Sequence, residues 1–338
     1  MKTVAPDYYK RFVCTADKCR DNCCRVGWRI AIDDKTYESC KSREEDSFKR
    51  FCKDVKFDDD GYFLEGGSCS MLRSDGLCEI ALKYGEENLS YICRMHPRYI
   101  NEYSDREEYG VGLACEEAAR LIMTDEKPNL YDIREDYSDS ETDEPAEKLI
   151  GLRKKLIDFV LESGEVGEKI SVVLHYAQKV AALIANGEYA KAEKMSFEKI
   201  QLNENRSVEN IRELIEEFKC LEVLDEEWIK MLEEIEVEKT ETKALEYDGE
   251  LKRIFCYFLY RYFVLYSLNG DMLGAVKLAA VSVILLRELF SGKSQSERIC
   301  IAHMYSKEIE YDDENIDSLL FDFFVNEVFE TEEIIKML

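Results

Sequence analysis

Basic charge is scarce in this chain: 46 lysines and arginines stand against 72 aspartates and glutamates, a formal net charge of −26. With a pI near 4.7, the chain is poorly suited to nucleic acid or an anionic membrane surface, both of which require basic faces. A protein partner that presents lysines stays open. Long uninterrupted hydrophobic runs are also missing. The run Ile254–Tyr260 meets Arg261 and ends at Asn269-Gly270-Asp271, and the run Met272–Leu286 carries Lys277 and is short for a bilayer. Both are expected to be buried helices, and no membrane partner is expected. The N-terminus, Met1 to Tyr9, has neither an apolar core of signal-peptide length nor a small-residue cleavage pattern. The expectation is a cytoplasmic protein whose thiols sit in a reducing environment, where stable disulfides are uncommon. There is no internal repeat.

Cysteine is abundant, and unevenly placed. Ten of the thirteen fall within the first 115 residues. The series opens with Cys14, Cys19, Cys23 and Cys24, continues with Cys69 and Cys78, and closes with Cys93 and Cys115. An odd total forbids complete internal pairing, and a chain of 338 residues buries enough core to need no disulfide staples. Thiolates at such spacing are expected to hold a metal or an iron–sulfur group. The spacing leaves the metal open: neither the paired Cys-x2-Cys zinc pattern nor a ferredoxin run is present. The leading ligands are Cys19, Cys23, Cys78 and Cys93, followed by Cys14, Cys24, Cys69 and Cys115.

The fold class is expected to be mainly α, a loop-rich cysteine cluster domain followed by an α-helical domain. The boundaries are a cysteine-rich domain over 1–130, an acidic linker over 131–145 and a helical domain over 146–338. The stretch Asp132 to Pro145 carries seven acids against one arginine and has no apolar face to bury. Pro145 suits a helix start. Beyond it, Leu149, Leu152, Leu156 and Val160 recur at helical spacing, as do Val172, Val173, Tyr176, Val180, Leu183 and Ile184. Ile211, Leu214, Ile215, Phe218 and Leu221 repeat the pattern, and the tail from Leu319 to Leu338 reads as further helix. In the first half, Lys56–Leu64 reads as a hairpin turning at Asp60-Gly61, and 79–84 and 116–123 as short helices.

Several motifs carry a resemblance. Phe12-x-Cys14, Cys19-x-Asp21-Asn22-Cys23-Cys24-x2-Gly27-Trp28 and Ile32-Asp33 come first. Cys69-x2-Leu72, Gly76-Leu77-Cys78-x-Ile80 and Gly85-Glu86-x2-Leu89-Ser90 follow. Cys93-x3-Pro97-Arg98 and Cys115-x-Glu117-Ala118-Ala119-Arg120-Leu121 complete the set. In this order, over about the first 120 residues, they resemble the flagellin lysine-N-methylases, with a looser likeness to small zinc- or iron-chelating proteins. The resemblance implies a protein-lysine N-methyltransferase acting on surface lysines of flagellin, with S-adenosylmethionine as methyl donor and a [4Fe-4S] cluster held by some of these cysteines. The sequence departs from the pattern at Glu116, where a proline is usual. No glycine-rich loop follows a predicted strand as in Rossmann-like methyltransferases, and no Cys-x3-Cys-x2-Cys run is present. The alternatives are a non-catalytic structural zinc protein and an iron–sulfur electron-transfer protein.

The remaining polar candidates read mostly as structural. His96 is a possible ligand or proton carrier in a tight turn, with Arg94 and Arg98 beside it. His175 reads as a packed core residue. Cys300-x2-His303 has ligand-like spacing but no partners nearby in sequence. Cys40, Cys52, Cys220 and Cys256 read as small buried or half-buried residues, and the aromatic residues from Phe255 to Tyr266 as core.

Overall fold

The computed structural model describes residues 2–24, 29–64, 69–103, 106–124, 130–135, 144–200, 205–237, 245–311 and 313–338. Gly27 and Trp28 of the N-terminal motif lie outside the described residues, as does 136–143 of the acidic stretch.

The chain is mainly helical, with two small sheets near its start. In order, the first half holds β1 (Lys2–Pro6), α1 (Asp7–Arg11), β2 (Ile30–Ile32), α2 (Asp34–Lys41), α3 (Asp46–Asp54), β3 (Lys56–Asp58) and β4 (Gly61–Leu64). It continues through α4 (Glu79–Tyr84), α5 (Tyr91–Met95), β5 (Arg98–Tyr103), β6 (Arg106–Val111), α6 (Glu116–Thr124) and β7 (Leu130–Glu135). The expected hairpin is β3–β4. Asp58 pairs with Gly61, so Asp59 and Asp60 form the two-residue turn and Gly61, at φ +108°, opens the second strand. The helices expected at 79–84 and 116–123 are α4 and α6.

The larger sheet runs β5-β6-β1-β7. Strand β1 lies parallel to β6 and antiparallel to β7. Strand β6 escapes the alternation rule because Arg106 and Glu108 are buried. Glu108 on β6 is fully buried and receives two bonds from Arg153, at 2.7 and 2.8 Å. Arg106 adds a pair to Glu147 at 2.8 Å. Bidentate pairing satisfies the carboxylate, which makes the burial tolerable.

The second half is a helical assembly: α7 (Glu144–Leu161), α8 (Val166–Ala185), α9 (Tyr189–Lys194), α10 (Val208–Lys219), α11 (Glu226–Glu233), α12 (Asp248–Leu268), α13 (Met272–Leu289), α14 (Gln295–Ile309), α15 (Asp313–Val325) and α16 (Thr331–Met337). The apolar periods read from the sequence fall inside α7, α8 and α10. The two long apolar runs become α12 and α13, which pack on each other and form the centre. Helix α13 is buried on every side from Gly274 to Arg287 because α8, α10, α12, α14, α15 and α16 surround it. Each fully buried leucine, isoleucine or phenylalanine there contributes about 1.5–3 kcal/mol relative to exposure. Among the described residues no helix is long and apolar enough to cross a membrane.

Two hydrophobic cores result. The large one joins Tyr8, Phe12, Val111, Leu113 and α6 to the C-terminal helices. The small one gathers Ile32, Phe48, Phe51, Leu64, Met71 and Ile80. Strand β7 occupies the start of the acidic stretch, and α7 begins at Glu144, one residue before Pro145. Cys69 and Cys78 pack against the small core and Cys115 against the large one, so the cysteine-bearing loops lie along the seam between the two.

Candidate functional site

The segment from Cys14 to Cys24 is built as a clamp. A short 3-10 turn over Ala16–Lys18 presents Cys19, whose thiol bonds to the carbonyl of Asp21 at 3.2 Å. The three residues that separate Cys19 from Cys23 then engage three different elements. Arg20 donates from Nε to Glu116 on α6 at 2.7 Å, and its backbone N–H to the same carboxylate at 3.2 Å. Asp21 accepts from Lys307 on α14 at 3.0 Å and meets His303 Nε2 at 2.9 Å. Asn22 donates to the carbonyl of Gly76 at 3.0 Å and accepts from the Cys24 N–H at 2.9 Å, which turns the chain sharply at the cysteine pair.

The other cysteine segments are equally constrained. The Cys69 N–H donates to the carbonyl of Cys24 at 2.9 Å. Between Cys69 and Cys78 the chain folds back on itself: Glu79 N–H bonds to Met71 O at 2.8 Å, Arg73 N–H to Leu77 O at 2.9 Å, and Leu72 bridges to Cys78. Gly76 takes the turn at φ +80°, a region that costs a side chain about 1 kcal/mol or more. Cys93 sits in α5, capped by Ser90, and Cys115 precedes the first turn of α6.

The thiols also influence one another electrostatically. A charge on Cys24 bears on Cys69, Cys78 and Cys93, and Cys78 and Cys93 bear on Cys69. Separately, Cys14 bears on Cys19, Cys23 and Cys115, and Cys115 also feels Cys19. The Cys23 thiol hydrogen-bonds to the neighbouring Cys24, holding Cys24 down at about 7 and pushing Cys23 well above the thiol range. All thirteen cysteines are free thiols.

Backbone N–H groups face several of the sulfurs. Met71 donates toward Cys69, Ile80 and Ala81 toward Cys78, and Glu117 and Ala118 toward Cys115. Burial nevertheless dominates, lifting Cys69 and Cys115 to about 11. A bound cation would reverse this balance, since ligating thiols lose their protons. Among the described residues no three His, Cys, Asp or Glu side chains converge closely enough for a single metal ion. In donor type and number the eight cysteines suit an iron–sulfur group, which spreads its four sulfur ligands wider than one tetrahedral ion does.

One side of this centre is lined by polar residues of the helical half. His303 and Lys307 are almost fully buried, and their bonds hold the Asp21 carboxyl at about 2. Cys300, one turn before, feels Arg20, Glu116 and Asp21. His96 is pushed down to about 4, by burial first and the His303 charge second, and its ring meets Tyr311 edge-on at 5.7 Å. Tyr311 in turn lies within reach of the Cys23 and Cys115 charges. Next to it, Glu310 Oε2 accepts from Arg261 at 2.9 Å, Tyr257 at 2.9 Å and Tyr262 at 2.8 Å. The sequence gives His303 no partner because Asp21 lies 282 positions away. The only local hint was an acid set between cysteines. His175 is half-buried and approaches Glu198 at 3.9 Å. Cys40 and Cys256 are buried, Cys52 is half-buried and Cys220 is exposed.

Two surface hollows, of about 430 and 510 Å³, lie elsewhere. The first is lined by α7 residues and Phe197, the second by Pro145, Lys148 and residues 187–191. Neither includes any of the eight cysteines, and no donor-binding residue is assigned from them.

The comparisons with known proteins agree with one another. The Lysine-N-methylase of Salmonella typhimurium is 27% identical over 129 residues, covering 36% of this chain. The aligned part amounts to 32% of that relative, so the match spans about a third of its length. No solved structure matches. The family model for the FliB lysine N-methylase C-terminal domain matches residues 108–337, from β6 through α16, and takes in Cys115 but none of the nine cysteines before it. With well over half of its length matched, the chain belongs to the FliB lysine N-methylase family.

Proposed function

We propose that this chain is a protein-lysine N-methyltransferase that uses S-adenosylmethionine and depends on a [4Fe-4S] group held by its N-terminal cysteines, with flagellin as the protein substrate. The observation that carries the reading is the family match over 108–337. It is supported by the likeness to the Salmonella lysine-N-methylase and by the ordered cysteine motifs of the first 120 residues. In this reading 1–130 is the cluster-binding region, 131–145 the acidic connector and 146–338 the helical region, working in the reducing cytoplasm.

The chemistry is a transfer of one methyl group from a sulfonium to the ε-nitrogen of lysine. The amine must shed a proton first, since only the neutral form has a lone pair to form the new N–C bond. A net charge of −26 favours encounter with a lysine-bearing surface. The cysteines present, Cys14, Cys19, Cys23, Cys24, Cys69, Cys78, Cys93 and Cys115, supply all the thiolates an iron–sulfur group needs, and when bound it supplies a polarising or redox-active centre. Asp21, His303 and Lys307 fix the loop that carries Cys19 and Cys23, and Tyr311, with the His96 ring against it, lies within reach of Cys23 and Cys115.

The test is co-expression of the full chain with flagellin in a host that does not methylate flagellin lysines, followed by intact-mass and peptide mapping. Methyl-lysine on flagellin, absent when the chain is omitted, is the expected result. Unmodified flagellin with a folded, iron-loaded chain would reject it.

A further inference from the structure

His303 is hydrogen-bonded on one side of its ring only. Its Nε2 lies 2.9 Å from Asp21 Oδ2. The residue is 5% exposed, and its buried Nδ1 has no hydrogen-bond partner among the described residues. We propose that Asp21 and His303 form a proton-accepting dyad, in which Asp21 orients the imidazole and His303 Nδ1 takes the proton from the lysine ε-ammonium to be methylated. The proposal rests on the lysine-methylation reading and adds to it a general base and the residue that positions that base.

The neighbours of Asp21 fix the tautomer. Lys307 Nζ donates to the same Asp21 oxygen at 3.0 Å and approaches Asp225 at 3.5 Å. An aspartate that faces an ammonium is a carboxylate at neutral pH and has no proton to give. Nε2 therefore carries the ring hydrogen and donates it, which leaves the lone pair of the neutral imidazole on Nδ1. A buried carboxylate in this position sets the tautomer and stabilises the imidazolium that forms when the other nitrogen accepts a proton. A clasp for the cysteine loop has no need of this arrangement, because Lys307 already ties Asp21 to α14. Burying an acceptor without a donor costs free energy, and the incoming ammonium N–H is a donor that meets the need.

The dyad spans the two parts of the molecule, Asp21 from the first cysteine loop and His303 from the region that the family model matches. Cys300, Lys307 and Glu308 share α14 with the imidazole, and the His303 charge bears on His96 across the seam. From α6, Glu116 reaches the loop through Arg20, and from the start of α11, Asp225 reaches Lys307. Helices α13 and α15 bond to α14 through neutral groups, Ser282 with Tyr305 at 2.7 Å and Asn315 with the Glu308 carbonyl at 2.8 Å. In the reaction, His303 Nδ1 receives the proton and the ring becomes an imidazolium opposite Asp21. The lone pair freed on the lysine nitrogen forms the bond to the methyl carbon while the C–S bond breaks, and that electron pair stays on sulfur as a neutral thioether. The methylated nitrogen ends as an ammonium, and the imidazolium returns its proton to water.

The experiment measures steady-state methyl transfer to flagellin by the full chain, iron-loaded without oxygen, as wild type, Asp21→Asn, His303→Gln and His303→Gly, with iron content determined for each. Loss of a general base should lower kcat of His303→Gln by about a hundredfold or more and leave KM nearly unchanged. Asp21→Asn keeps the ring but loses its orienting carboxylate, and kcat should fall there too. Added imidazoles should restore His303→Gly, with a rate that rises with base strength among imidazoles of like size. A His303→Gln chain with wild-type kcat, or rescue that follows the size of the imidazole and not its basicity, would overturn the dyad. Should the variants lose their fold or their iron, the wild-type pH profile decides. With a histidine base kcat levels off above about pH 7, whereas without one it climbs toward the lysine range near 10. Wild-type chain that transfers no methyl group would reject the lysine-methylation reading and the dyad together, whereas transfer that the variants leave intact removes the dyad alone.

Discussion

At the scale of single residues, Asp21 does the most positioning for its size. Its carboxylate is shared by His303 and Lys307, both buried in α14, and it lies between Cys19 and Cys23. Hydrogen bonding from His303, opposed by burial and aided by Lys307, holds it at about 2, below the ordinary 3.8. The stability this contributes is therefore complete above the unfolded pKa near 4 and is lost as pH falls from there through about 2. Asp21→Asn should remove it, costing on the order of 1–2 kcal/mol at neutral pH after allowance for partial exposure. The variant's deficit in urea should shrink as the pH is lowered toward 2. A deficit unchanged by pH would show that the carboxylate charge contributes nothing. None of this is visible in the sequence, where Cys300-x2-His303 looks like an isolated pair. The partner that gives His303 meaning comes from the far end of the chain.

Among elements, a buried ion pair joins the sheet to the helices. Arg153 of α7 donates twice to Glu108 of β6 and once, at 3.0 Å, to the carbonyl of Tyr260 in α12. Arg153→Met leaves Glu108 buried with only Arg106, at 3.5 Å, beside it and should cost roughly 3 kcal/mol, read as a lowered denaturation midpoint. Arg153→Met with Glu108→Gln should recover part of that loss, because no uncompensated charge then remains. Equal losses in both would point to packing alone. The same pair explains which elements the sequence discloses. Helices α7, α8 and α10 are legible because Leu149, Leu152, Leu156, Val160 and their counterparts repeat at the helical period. Strands β1, β5 and β6 are not: Arg106, Glu107 and Glu108 read as solvated charge, and it is the bidentate bond from the distant Arg153 that suits Glu108 to the interior. The cysteine loops fall between these cases. Their ligand chemistry is plain from residue type, yet spacing alone groups Cys19 and Cys23 with Cys78 and Cys93. The bond from Asn22 to Gly76, which ties the first cysteine loop to the second, has no trace in that spacing.

For the whole molecule, two cores of unequal size meet along a seam that the cysteine segments cross. The small core around Phe48, Phe51 and Met71 is a modest apolar cluster, so a metal group at the seam should contribute a large share of its stability. Chelation of iron should therefore speed hydrogen exchange in 14–24 and 69–95 and leave α12 and α13 protected. Uniform loss of protection would contradict the two-core account. The charge of −26 belongs to the same scale. If lysine-bearing proteins are the substrate, association should slow several-fold between low and physiological salt as screening shortens the reach of the acidic surface. A salt-independent on-rate would remove charge from the recognition step. The family match spans the helical half and reaches only Cys115 of the eight, so the link between the cysteine centre and the reaction is the claim most in need of direct trial.

That trial is methyl transfer in vitro, with methyl-labelled S-adenosylmethionine, flagellin and the full chain in two forms, iron-loaded without oxygen and stripped of iron. The account predicts label on flagellin lysines with the loaded protein and at least a tenfold loss with the stripped one, restored on reloading. Equal transfer by both forms would separate the cysteine centre from catalysis, and no transfer by the loaded form would contradict the proposed activity itself.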